Sequence, residues 1–344
     1  MATIAVVSFR LGGSDGVSIE AAKWIDALQS LGHTVRTVAG AGPVDHVVPG
    51  LAADAPIPPS AEELAPSLAG ADLVIVENLA SLPLNLPVLP VLYKVLAGRA
   101  ALFHHHDLPW QRPHLAHLPG PRDGEGWAHV TINEVSRHEL EARGIEAEVL
   151  RNRFDCSPPL GNRDSTRRAL DLTTGPLILF PSRAIPRKNV GAALALATTL
   201  EATLWLLGPS EDGYDETLQD LIAASGATVI RGPVANTTIH DAYAACDLVV
   251  VPSTWEGFGN PVLESVTHRR PLALFPYPVA RELMDFGFDF AFLDDLETLR
   301  GELASPQLAR REHNLSVAEA HFDLRDLPGE LEQLLARRFP ALGN

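Results

Sequence analysis

A chain of 344 residues is long enough for two domains, each with its own hydrophobic core, which excludes a small stapled scaffold. Its 46% hydrophobic and 20% charged residues exclude global disorder. The formal charge of −16, with neither half basic, argues against a nucleic acid or an anionic membrane as partner, because both require cationic surface.

The first apolar run, residues 4–8, has no basic segment ahead of it and reads as a strand, not a leader. A helix over 18–31 ending at Gly32 and a strand over 34–38 follow. Residues 40–70 hold most of the N-terminal proline and glycine without periodicity, so a surface excursion is expected there. Strands are expected over 73–77 and 100–104, and such alternation of short apolar runs with helical patterns indicates a parallel sheet covered by helices. Residues 156–162, Cys-Ser-Pro-Pro-Leu-Gly-Asn, oppose helix and strand interiors and are read as a hinge. A second series of strands is expected over 177–180, 204–207, 229–231, 248–251 and 271–275. The most apolar stretch, 190–208, is cut by Thr198, Thr199 and Glu201 and falls short of the roughly 20 apolar residues of a membrane span. With only Cys156 and Cys246, the chain reads as cytoplasmic, disulfide-free and without stable membrane association. Apolar residues at Leu327, Leu331, Leu334, Leu335 and Phe339 have helical spacing. The expected organisation is α/β, with domains at 1–158 and 159–325 and a terminal helix within 326–344.

Three loops carry chemistry. After the first strand, Arg10-Leu11-Gly12-Gly13-Ser14-Asp15-Gly16 leads into a helix, and such a turn serves either as a plain corner or as a place where backbone amides approach a phosphate. The strand over 177–180 delivers Pro181-Ser182-Arg183-Ala184-Ile185-Pro186-Arg187-Lys188-Asn189 to the carboxyl edge of the second sheet, where open α/β folds bind ligands. Arg183 and Lys188 can clamp a diphosphate there, and Lys188 is one of only three lysines, beside Lys23 and Lys94. The strand over 248–251 leads to Thr254-Trp255-Glu256-Gly257-Phe258-Gly259-Asn260-Pro261, with Pro261 suited to a helix start and Glu264 one turn inside that helix. Glu256 and Glu264 suit the hydroxyls of a sugar and a ribose, with the helix N-terminus between them for the linking phosphates.

In this order and placement the elements resemble the retaining GT-B glycosyltransferases of glycosyltransferase family 4, over nearly the whole chain. The family's E-x7-E element corresponds to Glu256 and Glu264, its Arg-x4-Lys pair to Arg183 and Lys188, and its N-terminal glycine loop to residues 12–16. The resemblance implies two Rossmann-like domains facing each other across a cleft, with the terminal helix crossing back to the first. It implies a nucleoside diphosphate sugar as co-substrate, held mainly by the second domain, and a small-molecule or glycan acceptor on the side of the first. Glu256 is then placed at the sugar hydroxyls, Glu264 at the ribose, and Arg183 with Lys188 on the diphosphate. Asn260 and the amides of Gly257, Phe258 and Gly259 contact sugar or phosphate, Val234 lies in the base-contacting turn, and Gly13 and Gly16 approach the diphosphate. His106 faces the donor sugar, with Asp107 either orienting its imidazole or capping the next turn. Trp110, Gln111 and Arg112 are read as acceptor-side or interdomain residues, or as packing for the loop.

The histidines at 104, 105, 106, 114, 117, 129 and 138 also invite a metal reading, which alternation along a strand and the lack of a carboxylate at ligand spacing oppose. No D-x-D element stands at a strand end, so no metal and no cofactor are expected, and the resemblance implies hexosyl transfer with retention. A sugar-nucleotide epimerase on the same fold and a non-catalytic sugar-nucleotide-binding protein are the competing readings; the broken G-x-G-x-x-G spacing disfavours a dinucleotide enzyme. Two segments depart from the family pattern. Thr267-His268-Arg269-Arg270-Pro271 replaces a small residue and a helix-ending glycine, and Pro276-Tyr277-Pro278 replaces a small-residue loop. Arg153 has no role legible in the sequence, and neither the donor base, hexose and acceptor nor the oligomeric state is fixed by it.

Overall fold

The computed structural model describes every residue except Ser14, Asp212 and Asn344. Ser14, within the glycine loop, therefore lies outside the described residues. The chain divides into two compact units, Met1–Asn152 with Arg325–Asn344, and Arg153–Leu324.

The first unit is built on strands β1 (Thr3–Arg10), β2 (Thr34–Ala41), β3 (His46–Val47), β4 (Leu73–Glu77), β5 (Ala101–His105), β6 (Trp127–Thr131) and β7 (Glu148–Val149). They form one sheet in the order β3-β2-β1-β4-β5-β6-β7. All pairs are parallel, with Val6 opposite Thr37 on one side and Ile75 on the other. β4 and β5 are buried at every residue, as strands covered on both faces must be. The helix Gly16–Ser30 turns Ala21, Trp24, Ala27 and Leu28 inward at helical spacing. The helix Leu327–Arg338 buries Leu327, Leu331, Leu334 and Leu335 and packs against it. Arg337 and Arg338 fasten this last helix to Glu148 and Glu146 at 2.6 and 2.9 Å.

The second unit repeats the plan with β8 (Leu177–Phe180), β9 (Thr203–Leu206), β10 (Val229–Arg231), β11 (Leu248–Val251), β12 (Leu272–Leu274) and β13 (Ala291–Phe292), parallel in the order β10-β9-β8-β11-β12-β13. Where the chain enters and leaves this unit, the Phe154 amide donates to Phe322 O and the Leu324 amide to Phe154 O, both at 2.8 Å. The Arg153 guanidinium donates to His321 O, so its role is to hold these two passages of chain side by side. The division between units falls at Asn152, ahead of the proline-rich segment 156–162.

Two features differ from the sequence reading. Residues 40–70 are not only a surface excursion: Leu51, Leu64 and Leu68 are fully buried in the core of the first unit. They sit on one-turn helical segments, Pro49–Leu51, Ala61–Leu64 and Ala65–Leu68, too short to display a period. β3, β7 and β13 are two residues each and equally invisible to periodicity, while β6 is masked by its polar His129 and Thr131.

Candidate active site

An open parallel sheet offers a crevice where connections leave adjacent strands toward opposite faces, at the strands' carboxyl ends. In the second unit this point lies between β8 and β11, and the loops that follow them carry the basic run and the Glu256 segment. The Thr254 amide donates to Arg187 O at 3.0 Å, tying the loops together. Lys188, only 7% exposed, forms an ion pair with Glu256 Oε1 and donates to Ser182 Oγ at 3.3 Å. Arg187 Nη1 donates to Glu256 Oε2 at 2.8 Å and to Trp255 O at 2.9 Å. Burial disfavours the charged form of Glu256, but Lys188 and Arg187 outweigh it and hold the carboxyl down to about 2. Burial also draws Lys188 below its ordinary value, with Glu256 opposing.

Arg183 is not part of this cluster; it pairs with Glu211, both side chains 39% exposed. Glu264 lies one turn inside the helix Asn260–Thr267 and accepts the Tyr243 hydroxyl at 2.7 Å. Burial, with Glu264 beside it, pushes Tyr243 well above its ordinary pKa, so it remains a donor. Gly259 has φ +91°, and a Cβ there would collide with the Tyr277 hydroxyl, which donates to Phe258 O at 3.1 Å. Pro276-Tyr277-Pro278 is thus a buttress beneath the Gly257–Phe258–Gly259 loop. The turn holding Val234 is fixed from below: the buried Trp205 indole donates to Gly232 O at 2.9 Å, and Thr237 Oγ1 donates to Val234 O at 2.7 Å.

The corresponding reversal in the first unit lies between β1 and β4. The glycine loop enters the helix Gly16–Ser30 through Asp15, whose carboxylate accepts from the Ser18 amide and hydroxyl at 3.2 and 2.8 Å and from Arg10 at 2.9 Å. The space around Gly16 is open. At the end of β4 stands Glu77, fully buried. It accepts from His104 Nδ1 at 3.0 Å and from His106 Nε2 at 3.0 Å, while the His106 amide donates to Asn78 Oδ1 at 3.0 Å. Trp24 stacks on the His104 ring at 4.0 Å. Burial raises the Glu77 carboxyl, but His104 and His106 together outweigh it and hold it at about 2. Burial lowers His104 below its ordinary value.

Glu77, and not Asp107, therefore orients His106. The Asp107 carboxylate is taken by Arg112 at 2.8 Å. Trp110 and Gln111 pack the loop down: Trp110 Nε1 donates to Glu139 at 2.8 Å, and Gln111 Nε2 to Ser136 and Glu139 at 2.9 and 2.7 Å. The next histidine faces the other way. The directions that satisfy every atom are Ser81 O–H to His105 Nδ1 at 2.6 Å, His105 Nε2–H to His129 Nδ1 at 2.9 Å, and His129 Nε2–H to Asp123 at 3.3 Å. Glu77, His104 and His106 bring one potential ligand atom each within 4.8 Å of one another, so a cation could be held there. The carboxylate that sequence spacing did not offer comes from the neighbouring strand.

The sequence reading passed over Glu77, Arg187 and Tyr243, and singled out Tyr277 only as a departure from the family pattern. Arg187 had a signal, its place beside Lys188 in the same loop; the others meet their partners only through strand and helix packing.

Residues 175–299 match the family model described as "Glycosyl transferases group 1". Over 97% of its length the chain is 26% identical to the mannosylglucosylglycerate synthase of Thermotoga maritima, of which 99% is covered. Solved structures with the same fold include Anabaena HepE in complex with UDP and glucose, at TM-score 0.72 and 16% identity over 98% of this chain and 100% of that one. Another is sucrose-phosphate synthase from Thermosynechococcus elongatus, at TM-score 0.72 and 17% identity over 99% and 100%. At these identities the structural likeness establishes the fold, two Rossmann-like α/β units of GT-B type.

Proposed function

We propose that this chain, a glycosyltransferase of GT-B fold, moves a hexosyl group from a nucleoside diphosphate sugar to a hydroxyl of a small-molecule or glycan acceptor, with retention and without a metal ion. The observation that carries the reading is the buried Lys188–Glu256 pair, joined by Arg187, at the β8/β11 reversal of the second sheet.

Departure of the diphosphate leaves positive charge at the anomeric carbon and negative charge on phosphate oxygens, so the site must stabilise the leaving group and position the acceptor. Lys188 carries three N–H donors, of which Glu256 and Ser182 engage two, and the third is assigned to the diphosphate. Arg183 joins it by leaving Glu211; exposed ion pairs contribute only about 0–1 kcal/mol, so the exchange costs little. Glu256 is assigned to the sugar hydroxyls and Glu264 to the ribose. Asn260 and the amides of Gly257, Phe258 and Gly259 take sugar or phosphate, and Val234 takes the base. In the first unit, His106, fixed through Glu77, is assigned to the donor sugar, and the amides of Gly13 and Gly16 to phosphate. Metal independence rests on the cationic leaving-group site and on the use of Glu77 as a hydrogen-bond acceptor for two imidazoles.

The test is a panel of UDP-, GDP- and ADP-sugars, followed by release of free diphosphate with and without acceptor. The relative's name puts mannosyl donors and glucosylglycerate-type acceptors first in the panel. Isomerised sugar nucleotide without acceptor would identify an epimerase; binding without turnover would identify a sensor. NMR of the glycoside should show the anomeric configuration of the donor, and inversion contradicts the retaining assignment.

A further inference from the structure

The pair Arg269-Arg270 has a consequence away from the donor loops. The helix Asn260–Thr267 ends through Arg269 in the left-handed conformation, φ +53°, and Arg270 follows at the amino edge of the second sheet, just before β12. There it borders a cavity of about 220 Å³ lined also by Arg163, Asp247, Glu302 and Arg311.

The other charged groups of the lining have partners. Arg163 Nη1 donates to the carbonyls of Ala244, Ala245 and Cys246 at 3.2, 2.9 and 3.1 Å, and its other amino group pairs with Asp247. Asp247 also accepts from Arg167 at 3.2 Å. Glu302, with a side chain 1% exposed, pairs through Oε2 with Arg311 at 3.2 Å, while its Oε1 faces Arg310 at 3.7 Å and is buried without a hydrogen-bond partner. For Arg270, by contrast, no hydrogen bond or ion pair of the guanidinium is found among the described residues, and its Nε is buried without a partner. Arg311 Nε, on the same wall, is buried without a partner too.

Buried polar atoms in folded proteins are nearly always satisfied, by an ordered water or an ion where no protein group reaches them. A water would satisfy an N–H but leave the lining's excess of positive charge uncompensated. The cavity's lining carries three guanidinium groups against two carboxylates, each already held by arginine. What is missing is therefore an acceptor with negative charge, and a planar guanidinium is matched best by an oxyanion taken in bidentate fashion.

We propose that this cavity is a binding site for a phosphate group, free or carried by a small phosphate ester, with Arg270 as its principal ligand and Arg311 Nε as a second donor. Burial and the neighbouring Arg163 and Arg311 charges press the Arg270 guanidinium below its ordinary pKa, a strain that a bound anion relieves. The site is separate from the donor loops. Asp247 and Arg270 precede β11 and β12, whereas Lys188 and Glu256 follow β8 and β11 at the opposite edge of the parallel sheet. The helix Asn260–Thr267 connects the two edges, so an anion at Arg270 lies at the far end of the helix that carries Glu264.

The experiment is calorimetric titration of inorganic phosphate and of glycerol phosphate, at chloride-matched ionic strength, into wild type, Arg270→Gln and Lys188→Ala. The expected result is saturable binding to wild type and Lys188→Ala alike, and at least tenfold weaker binding to Arg270→Gln. The ester arm tells whether the cavity admits an organic substituent or only the free ion. Binding retained by Arg270→Gln, lost in Lys188→Ala, or absent from wild type overturns the proposal. Should Arg270→Gln fail to fold, Arg270→Lys keeps the charge and loses the fork; equal affinity in that variant also overturns it.

Discussion

Lys188 stands out in the sequence because lysine is scarce and because its loop leaves a strand at the carboxyl edge. The structure adds that its ammonium is buried against Glu256, with Arg187 on the other oxygen. Charge-assisted hydrogen bonds contribute about 1.5–3 kcal/mol, so Lys188→Ala should lower kcat/KM by roughly tenfold to more than a hundredfold. Arg187 still compensates Glu256 in that variant, so it should fold, and a folded variant with unchanged kcat/KM removes Lys188 from the site. Glu77 was not legible, because its partners His104 and His106 lie 27 and 29 residues away and meet it only through the β4–β5 pairing. Glu77→Gln gives one imidazole an N–H where it had an acceptor. Loss of one charge-assisted bond should lower kcat/KM by about tenfold. An unaltered rate would leave Glu77 a structural group only.

Among the elements, the principal strands and the helix start at Pro261 were legible because apolar runs and glycine turns are local signals, whereas the first helix, expected from Ser18, begins at Gly16 behind an Asp15 cap. The buttress under the donor loop was not legible: nothing in Pro276-Tyr277-Pro278 announces that its hydroxyl reaches Phe258 O across two loops. Gly259 is needed twice, for φ +91° and for the space held by the Tyr277 hydroxyl. Gly259→Ala should therefore lower the melting temperature and weaken donor binding, the backbone alone costing about 1–2 kcal/mol. Tyr277→Phe removes the obstructing oxygen and one hydrogen bond, so the double variant should be less destabilised than the sum of the singles. Strict additivity in thermal unfolding would show that hydroxyl and glycine are not coupled.

For the whole molecule, buried ionisable groups set the response to acid. Burial places His104, His105 and His129 below their ordinary value, so below about pH 6.5 the unfolded chain takes up protons that the folded chain does not. Glu77 and Glu256, held at about 2, contribute stability that is complete above the ordinary carboxylate value of 4.5 and is lost as pH falls below it. Glu20, raised by burial, opposes this. The melting temperature should fall between pH 7 and 5 and more steeply below 4.5; a flat profile down to pH 4 contradicts these assignments. Among the described residues no helix is long and apolar enough to cross a membrane.

Donor chemistry at the Lys188–Glu256 pair is tested most directly by diphosphate release from the sugar-nucleotide panel, with acceptor and with EDTA, in wild type and Lys188→Ala. Acceptor-dependent release is expected from at least one sugar nucleotide, undiminished by EDTA and reduced at least tenfold in the folded Lys188→Ala variant. Release abolished by EDTA and restored by Mg²⁺ or Mn²⁺, or equal in both proteins, would contradict it.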